Sequence, residues 1–299
     1  MPSNIQLVDA VAGALRESWP GTATAAAAPA LEGAAAALAA HALHRLHPAA
    51  WVVVVTCGPN ELEAFHADLL TLAPGHAAPP LLLPPPEAES AGDIELDGAR
   101  LAVARRLREA VSAPAAATLL ATTATALLAP LPEPQAVEQA GRLLRTGSSE
   151  HGFEALVAAL SAAGYAREPE VVAKGQMAVR GGLLDVWPPD APLPVRVDFF
   201  GDTVESLRTF DPASQRSTAS LETAWIPPCD PARLPAAAPV ERLPEGAVFL
   251  WLDHDRIAAM TTAPGAAEPS PAAWDALRAA VARRAPAREI FCGDPPPAG

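Results

Sequence analysis

The sequence predicts an α/β lobe built on a parallel sheet and interrupted by a small antiparallel α+β domain. Three observations lead there. Short apolar runs alternate with helical stretches from about residue 22 to 130; strand alternation with tight-turn signals takes over at 170 to 226; an apolar strand and a helix return after residue 247. Strands separated by helices run parallel, because each helix carries the chain back across the sheet. Strands joined by tight turns run antiparallel.

In the first stretch ATAAAAPAL is weakly strand-like and EGAAAALAAHALHRL reads as a helix. WVVVVTC reads as a buried strand, NELEAFHADLLTL as a helix opened by Asn60, and LLLPPP as a short strand. DGARLAVARRLREAV is a helix, ATLLATT a strand and ATALLA a short helix, followed by a proline-containing connection over 131 to 145. Near Ser148 and Ser149, both suitable N-cap residues, EHGFEALVAALSAAGY begins a helix that Gly164 ends. The meander that follows turns at Pro188-Pro189-Asp190 and at Gly201-Asp202. After IPPCDPARLP come the strand AVFLWLD (247 to 253) and the helix PAAWDALRAAVARR (271 to 284), and PPPAG reads as a frayed end or a cut linker. The expected division is therefore 1–145, 146–228 and 229–299.

Composition narrows the function. The chain has 299 residues and half of them are hydrophobic, enough for two or three small cores. No run reaches the roughly 20 apolar residues of a membrane span. The N-terminus lacks a basic n-region and carries Asp9 and Glu17 within its apolar pattern, so no signal peptide is read and a cytoplasmic location is expected. Cys57, Cys229 and Cys292 are too scattered for a disulfide framework or a zinc site. A formal net charge of -13 argues against strong nucleic-acid binding, which depends on Lys and Arg neutralising phosphates. Lys174 is the only lysine among 21 Lys and Arg residues, a skew we attribute to coding bias.

Several chemistries can be weighed. A mononucleotide loop needs G-x-x-x-x-G-K-[ST] between the first strand and helix, so that backbone amides and a lysine meet the phosphates. The sequence there is PALEGAAAAL; Gly33 is present, but no Lys or hydroxyl residue follows it. His41, His44 and His47 lie away from the Leu38, Ala42, Leu43, Leu46 stripe and lack obvious carboxylate partners, which reads as a solvated helix face, not a metal site. Asp253 and Asp255 in WLDHDR follow an apolar strand and read as a strand-end turn. No G-x-S-x-G or local Cys-His-acid grouping proposes a nucleophile. No catalytic, cofactor-binding or metal-binding residue is expected.

The segment 177 to 217 gathers more chemical variety. In VRVDFF, period two puts Val195, Val197 and Phe199 on one face and Arg196, Asp198 and Phe200 on the other. Leu184 and Val186 share the parity of Arg180, so a bulge at Gly181-Gly182 is expected to restore one apolar face. Arg180, Arg196 and Phe200 then share an outer face, the composition of a protein-interaction hot spot. The alternative from periodicity is that Phe200 packs under the 150–164 helix and the arginines pair with Asp198 or Glu205.

GQMAVRGGLLDVWPP and PVRVDFFGDTVESLRTFDPASQRS, with the preceding helix ending AAGY, resemble the UvrB-interaction domain shared by the excision-repair protein UvrB and transcription-repair coupling factors. The elements R-G-G-x-x-D, R-x-D-x-F-G-D, S-L-R and F-D-x-x-S-Q-R occur in order over about residues 150 to 220. The flanks resemble the degenerate first helicase-like lobe of the coupling factors, which the small domain interrupts in that family. UvrB would bring a working P-loop and a tyrosine-rich hairpin, whereas Tyr165 is the only tyrosine here. The resemblance is therefore nearer to the N-terminal module of the coupling factors. It implies a non-catalytic adaptor that binds UvrA in nucleotide excision repair, through the positions matching Arg180, Arg196 and Phe200. Little direct nucleic-acid binding and possible further domains of a longer protein go with it. The alternative is an ATP-dependent DNA helicase or UvrB-type nuclease subunit, and a third reading is a structural lobe whose outer patch meets other domains.

Overall fold

The computed structural model describes residues 3–18, 25–28, 30–73, 79–86, 93–112, 117–284 and 288–292; the expected PPPAG end lies outside them. The protein is mixed α/β, with one parallel sheet and separate antiparallel pairing. In chain order the first elements are α1 (Asn4–Ser18), β1 (Ala25–Ala28), α2 (Gly33–Leu46), β2 (Trp51–Thr56), α3 (Pro59–Leu72), β3 (Leu81–Leu83), α4 (Ile94–Ser112) and β4 (Thr118–Thr123). Next come α5 (Ala124–Leu128), β5 (Leu131–Pro132), α6 (Pro134–Ala140), β6 (Arg142–Arg145), α7 (Phe153–Ala162), β7 (Ala166–Arg167), β8 (Gln176–Arg180) and β9 (Leu183–Val186). The remainder is β10 (Val195–Phe200), β11 (Thr203–Phe210), β12 (Ser217–Leu221), β13 (Thr223–Ile226), β14 (Ala236–Ala237), β15 (Val248–Leu252), α8 (His254–Met260), α9 (Pro271–Arg283) and β16 (Arg288–Cys292). Two compact units result: residues 1–87, 106–131 and 236–299, and residues 88–105 and 132–235.

The first unit is built on a parallel six-stranded sheet of order β1-β16-β15-β2-β4-β3. Its central strands are buried along their length, which is why WVVVVT and TLLATT are continuous apolar or threonine runs without alternation. Ala36, Ala40 and Leu43 of α2 and Leu62, Phe65 and Leu69 of α3 pack on the Val52, Val54 side. On the opposite parity Trp251 of β15 meets Trp274 of α9, ring centroids 5.4 Å apart, and stacks with Phe291 of β16 at 6.3 Å.

Local chemistry departs from expectation at three helices. Gly58, not Asn60, caps α3, with Pro59 supplying the first helical residue, where its missing N–H is no loss. His41 is buried and bonds the Leu69 carbonyl at 2.9 Å, and Arg288 donates to His47 at 3.0 Å; the histidines are packing residues, not a solvated face. Burial lowers all three imidazole pKa values. The 131–145 connection contains α6 and β6.

The second unit centres on a six-stranded sheet, β12-β11-β10-β9-β8-β7, antiparallel except for the β7–β8 pair. Its inner face is closed by α7, whose Leu156, Val157 and Leu160 join Val195, Val197 and Phe199 in one core. Each such side chain contributes about 1.5–3 kcal/mol on burial. Ser148 and Ser149 do not cap α7. The helix starts at Phe153, Ser148 closes a turn on the Glu150 amide, and the Asp202 carboxylate accepts from the Phe153 N–H at 3.2 Å. Gly164 ends it at φ +97, a left-handed value that glycine takes without strain. A short second ladder, β6 with β13, completes the unit.

Candidate protein-binding face

The expected bulge at Gly181-Gly182 is absent. These residues are the two-residue turn of a hairpin in which Arg180 faces Leu183 and Val179 faces Leu184. A two-residue turn inverts sequence parity between its flanking strands, so Val179, Leu184 and Val197 reach one face without an extra residue. Gly181 adopts φ +60, and a Cβ at Gly182 would press on the Phe199 carbonyl. The register shift in this region lies instead between β10 and β11, at Asp198/Phe199, where Glu205 is the extra residue.

Cross-strand rows define the outer face. Ala178, Asp185, Arg196, Arg208 and Ser220 form one row; Arg180, Leu183, Asp198 and Ser206 form the next. Phe200, opposite Thr203, follows on β10 past the end of the β9 pairing, roughly 13 Å along the strand from Arg196. Arg180, Arg196 and Phe200 thus stand on one face. Phe200 is 80% exposed, and it is Phe199 that packs against Phe153 of α7, at 5.2 Å edge to face. The turn beside Phe200 is fixed by Gly201 at φ +61 and by the Asp202 bond to α7.

The two arginines differ. The Arg180 side chain is 50% exposed and that of Arg196 only 14%. Both bond Asp185, which is 1% exposed: Arg180 Nη2 donates to Oδ2 at 2.9 Å, Arg196 Nη2 to Oδ2 at 2.8 Å and Arg196 Nε to Oδ1 at 2.7 Å. The Asp185 bond, ahead of any other influence, raises the Arg196 pKa, so its charge is fixed. Arg196 also donates to the Gln215 carbonyl at 3.1 Å and lies 4.5 Å over the Phe210 ring, a cation–π contact. Phe210 belongs to a small cluster with Val171 and Ala178, so one end of this face is packed rather than open. Asp198 pairs with Arg208 and accepts from Ser206 at 2.7 Å.

Sequence reasoning singled out Arg180, Arg196 and Phe200, which the structure places on one face, but not Asp185 and Arg208, which stand beside them there. Both occur inside quoted motifs, as the last residue of R-G-G-x-x-D and the Arg of S-L-R. Their link to the patch needed the strand register.

A second concavity lies in the first unit, a cleft of about 380 Å³ at the carboxyl ends of β2 and β15. Glu32, Glu61, Asp68 and Asp253 line it, with Gly33, Cys57 and Arg256. Arg256 is paired with Glu61 at 2.5 Å, and burial, chiefly, pushes the Cys57 thiol up to about 11. Gly33 opens α2 at φ +50, yet the lining is acidic where a phosphate site needs donors and positive charge. Asp253, in the left-handed region, caps α8 by accepting from Arg256 N–H at 3.2 Å. Among the described residues no group of three His, Cys, Asp or Glu is placed to hold a metal ion.

Comparison with known proteins gives this face its class. Residues 144–230 match the model of the UvrB interaction domain, so this segment of the chain is similar to that domain. The relatives point further. A transcription-repair-coupling factor of Mycobacterium bovis is 34% identical over 179 residues, 57% of this chain and 14% of that protein. That of Escherichia coli K12 is 43% identical over 75 residues, 25% of this chain and 6% of the relative. The UvrABC system protein B of Thermosipho africanus is 30% identical over 79 residues, 26% of this chain and 12% of its own length. Through this domain the chain is a relative of the transcription-repair-coupling factors and of UvrB, and its matches span under one sixth of these proteins.

Proposed function

We propose that this chain is a non-catalytic adaptor that binds UvrA in nucleotide excision repair, in the manner of the N-terminal UvrB-homology region of a transcription-repair coupling factor. The observation that carries the reading is Phe200, a large apolar side chain left in solvent on a strand whose neighbour Phe199 is packed. Singly exposed apolar residues are common, but this one shares a face with Arg180 and Arg196 inside a segment similar to the UvrB interaction domain. A ring and two multidentate cations on a rigid sheet are what a protein hot spot uses.

In this reading the first unit is a degenerate helicase-like lobe. Its acidic cleft, without lysine, supports binding over ATP chemistry. No helix among the described residues is long and apolar enough to cross a membrane. Mixing the chain with UvrA and resolving the mixture by size-exclusion chromatography tests the proposal. The expected result is co-elution by the wild-type chain and separate elution by Phe200→Ala. Separate elution of the wild-type chain at micromolar concentrations, or magnesium-dependent ATP turnover by it, would contradict the reading.

A further inference from the structure

We propose that Asp185 is a positioning residue for partner recognition: its buried carboxylate holds the guanidinium of the half-exposed Arg180 beside that of the nearly buried Arg196, so that a partner meets Arg180 as a cation already fixed in direction. This rests on the reading of the face as the UvrA site. The geometry is that of a clamp. Asp185 sits on β9 between the strands that carry the two arginines, directly opposite Arg196 on β10 and Ala178 on β8. Arg180 lies one row further along β8, so its side chain bonds Asp185 on a diagonal, past the position of the small Ala178. One carboxylate oxygen accepts from both arginines, the other from Arg196 alone.

Stability alone does not account for a carboxylate there. A buried ion pair is often replaceable by apolar residues with no loss, since desolvation offsets the attraction. Here the carboxylate instead connects a half-exposed arginine to a nearly buried one. A free arginine must give up rotamer freedom when it binds a partner; one already held on a sheet has lost that freedom at folding. The Arg196 end is locked in turn by the Phe210 ring and the Gln215 carbonyl, and Gln215, at φ +58, is itself anchored by bonds from its amide to Val171 and Pro212. The arrangement leaves Arg180 as the cation open to a partner, and gives it a fixed direction.

The test measures UvrA affinity by calorimetry for Arg180→Ala, Phe200→Ala, Asp185→Asn and the doubles of Asp185→Asn with each, at a temperature where circular dichroism shows every variant folded. Asp185→Thr replaces the Asn variant should the latter melt too low. We expect Asp185→Asn to weaken binding by about tenfold, and its double with Arg180→Ala to lose clearly less than the product of the single losses, because coupled residues do not add. Its double with Phe200→Ala should lose the full product. Wild-type affinity for Asp185→Asn beside weakened Arg180→Ala and Phe200→Ala overturns the positioning role and leaves the site standing. So does an Arg180 double that shows the full product of losses. If Arg180→Ala and Phe200→Ala themselves bind as the wild type does, the face is not the UvrA site and the positioning role falls with it.

Discussion

Truncating Arg196 and truncating Arg180 remove the same chemical group from the same face, yet they should differ in stability. Arg196→Ala strips two of three donors from a carboxylate that is shut off from water, and an uncompensated buried charge costs about 3–5 kcal/mol when no relaxation relieves it. Arg180 and local rearrangement offset part of that, so we expect a loss of about 1–3 kcal/mol in urea denaturation. Arg180→Ala and Phe200→Ala should each stay within about 0.5–1 kcal/mol of the wild type. Equal midpoints for the two arginine variants would show that Asp185 does not depend on Arg196. Period two set Phe200 on the face opposite Val195, Val197 and Phe199 but left open that it packs under the 150–164 helix; the resemblance favoured the outward position that the structure shows. The same rule could not separate a half-exposed arginine from a nearly buried one: what covers Arg196 is Phe210 and Gln215, brought in by a later strand and the loop after it.

At the level of elements, glycines and caps show where long-range contact overrides local preference. Gly98 lies within α4, where alanine ordinarily gains about 1 kcal/mol. A Cβ there would overlap the Pro189 carbonyl in the same unit, so Gly98→Ala should destabilise, and a raised melting temperature would refute the close packing of α4 on the 188–190 turn. Asp202→Ala removes the carboxylate from the first turn of α7 and should cost about 1 kcal/mol, with the Phe200 hairpin loosening in hydrogen exchange. The strands of the meander were legible because their turns are short and their alternation is clean. The start of α7 was not, since its cap comes from Asp202, 49 residues beyond Phe153. The expected bulge at Gly181-Gly182 failed for a related reason: parity inverts across a two-residue turn, and only pairing reveals that.

Across the molecule, the interruption of an α/β pattern by a meander was readable as a change of period. The place of β16 was not, because REIFC is short and joins the sheet between β1 and β15, far from both in sequence. The part of α4 up to Arg105, which opens a stretch that reads as a plain helix in sequence, is grouped with the second unit, a property of tertiary packing. Two bulk properties follow. His41, His44 and His47 have pKa values lowered by burial from 6.5, so the unfolded chain binds more protons than the folded one near that pH. Stability should be full above the unfolded value and fall as pH drops through 6.5 towards the lowered folded values. Melting curves between about pH 7.5 and 6 should show this, with a shallower slope for His41→Gln; parallel slopes would place the dependence elsewhere. With a formal charge of -13, duplex DNA should bind weakly at physiological salt, and nanomolar affinity with a steep salt slope would contradict the adaptor reading. The claim on which the account turns is that the outer face of the small sheet is the UvrA site. The most direct test is the dissociation constant of the UvrA complex for Phe200→Ala against the wild type, with melting temperatures measured alongside. The account requires a loss of about thirtyfold or more with a stability within about 1 kcal/mol of the wild type, and wild-type affinity in the folded Phe200→Ala variant would contradict it.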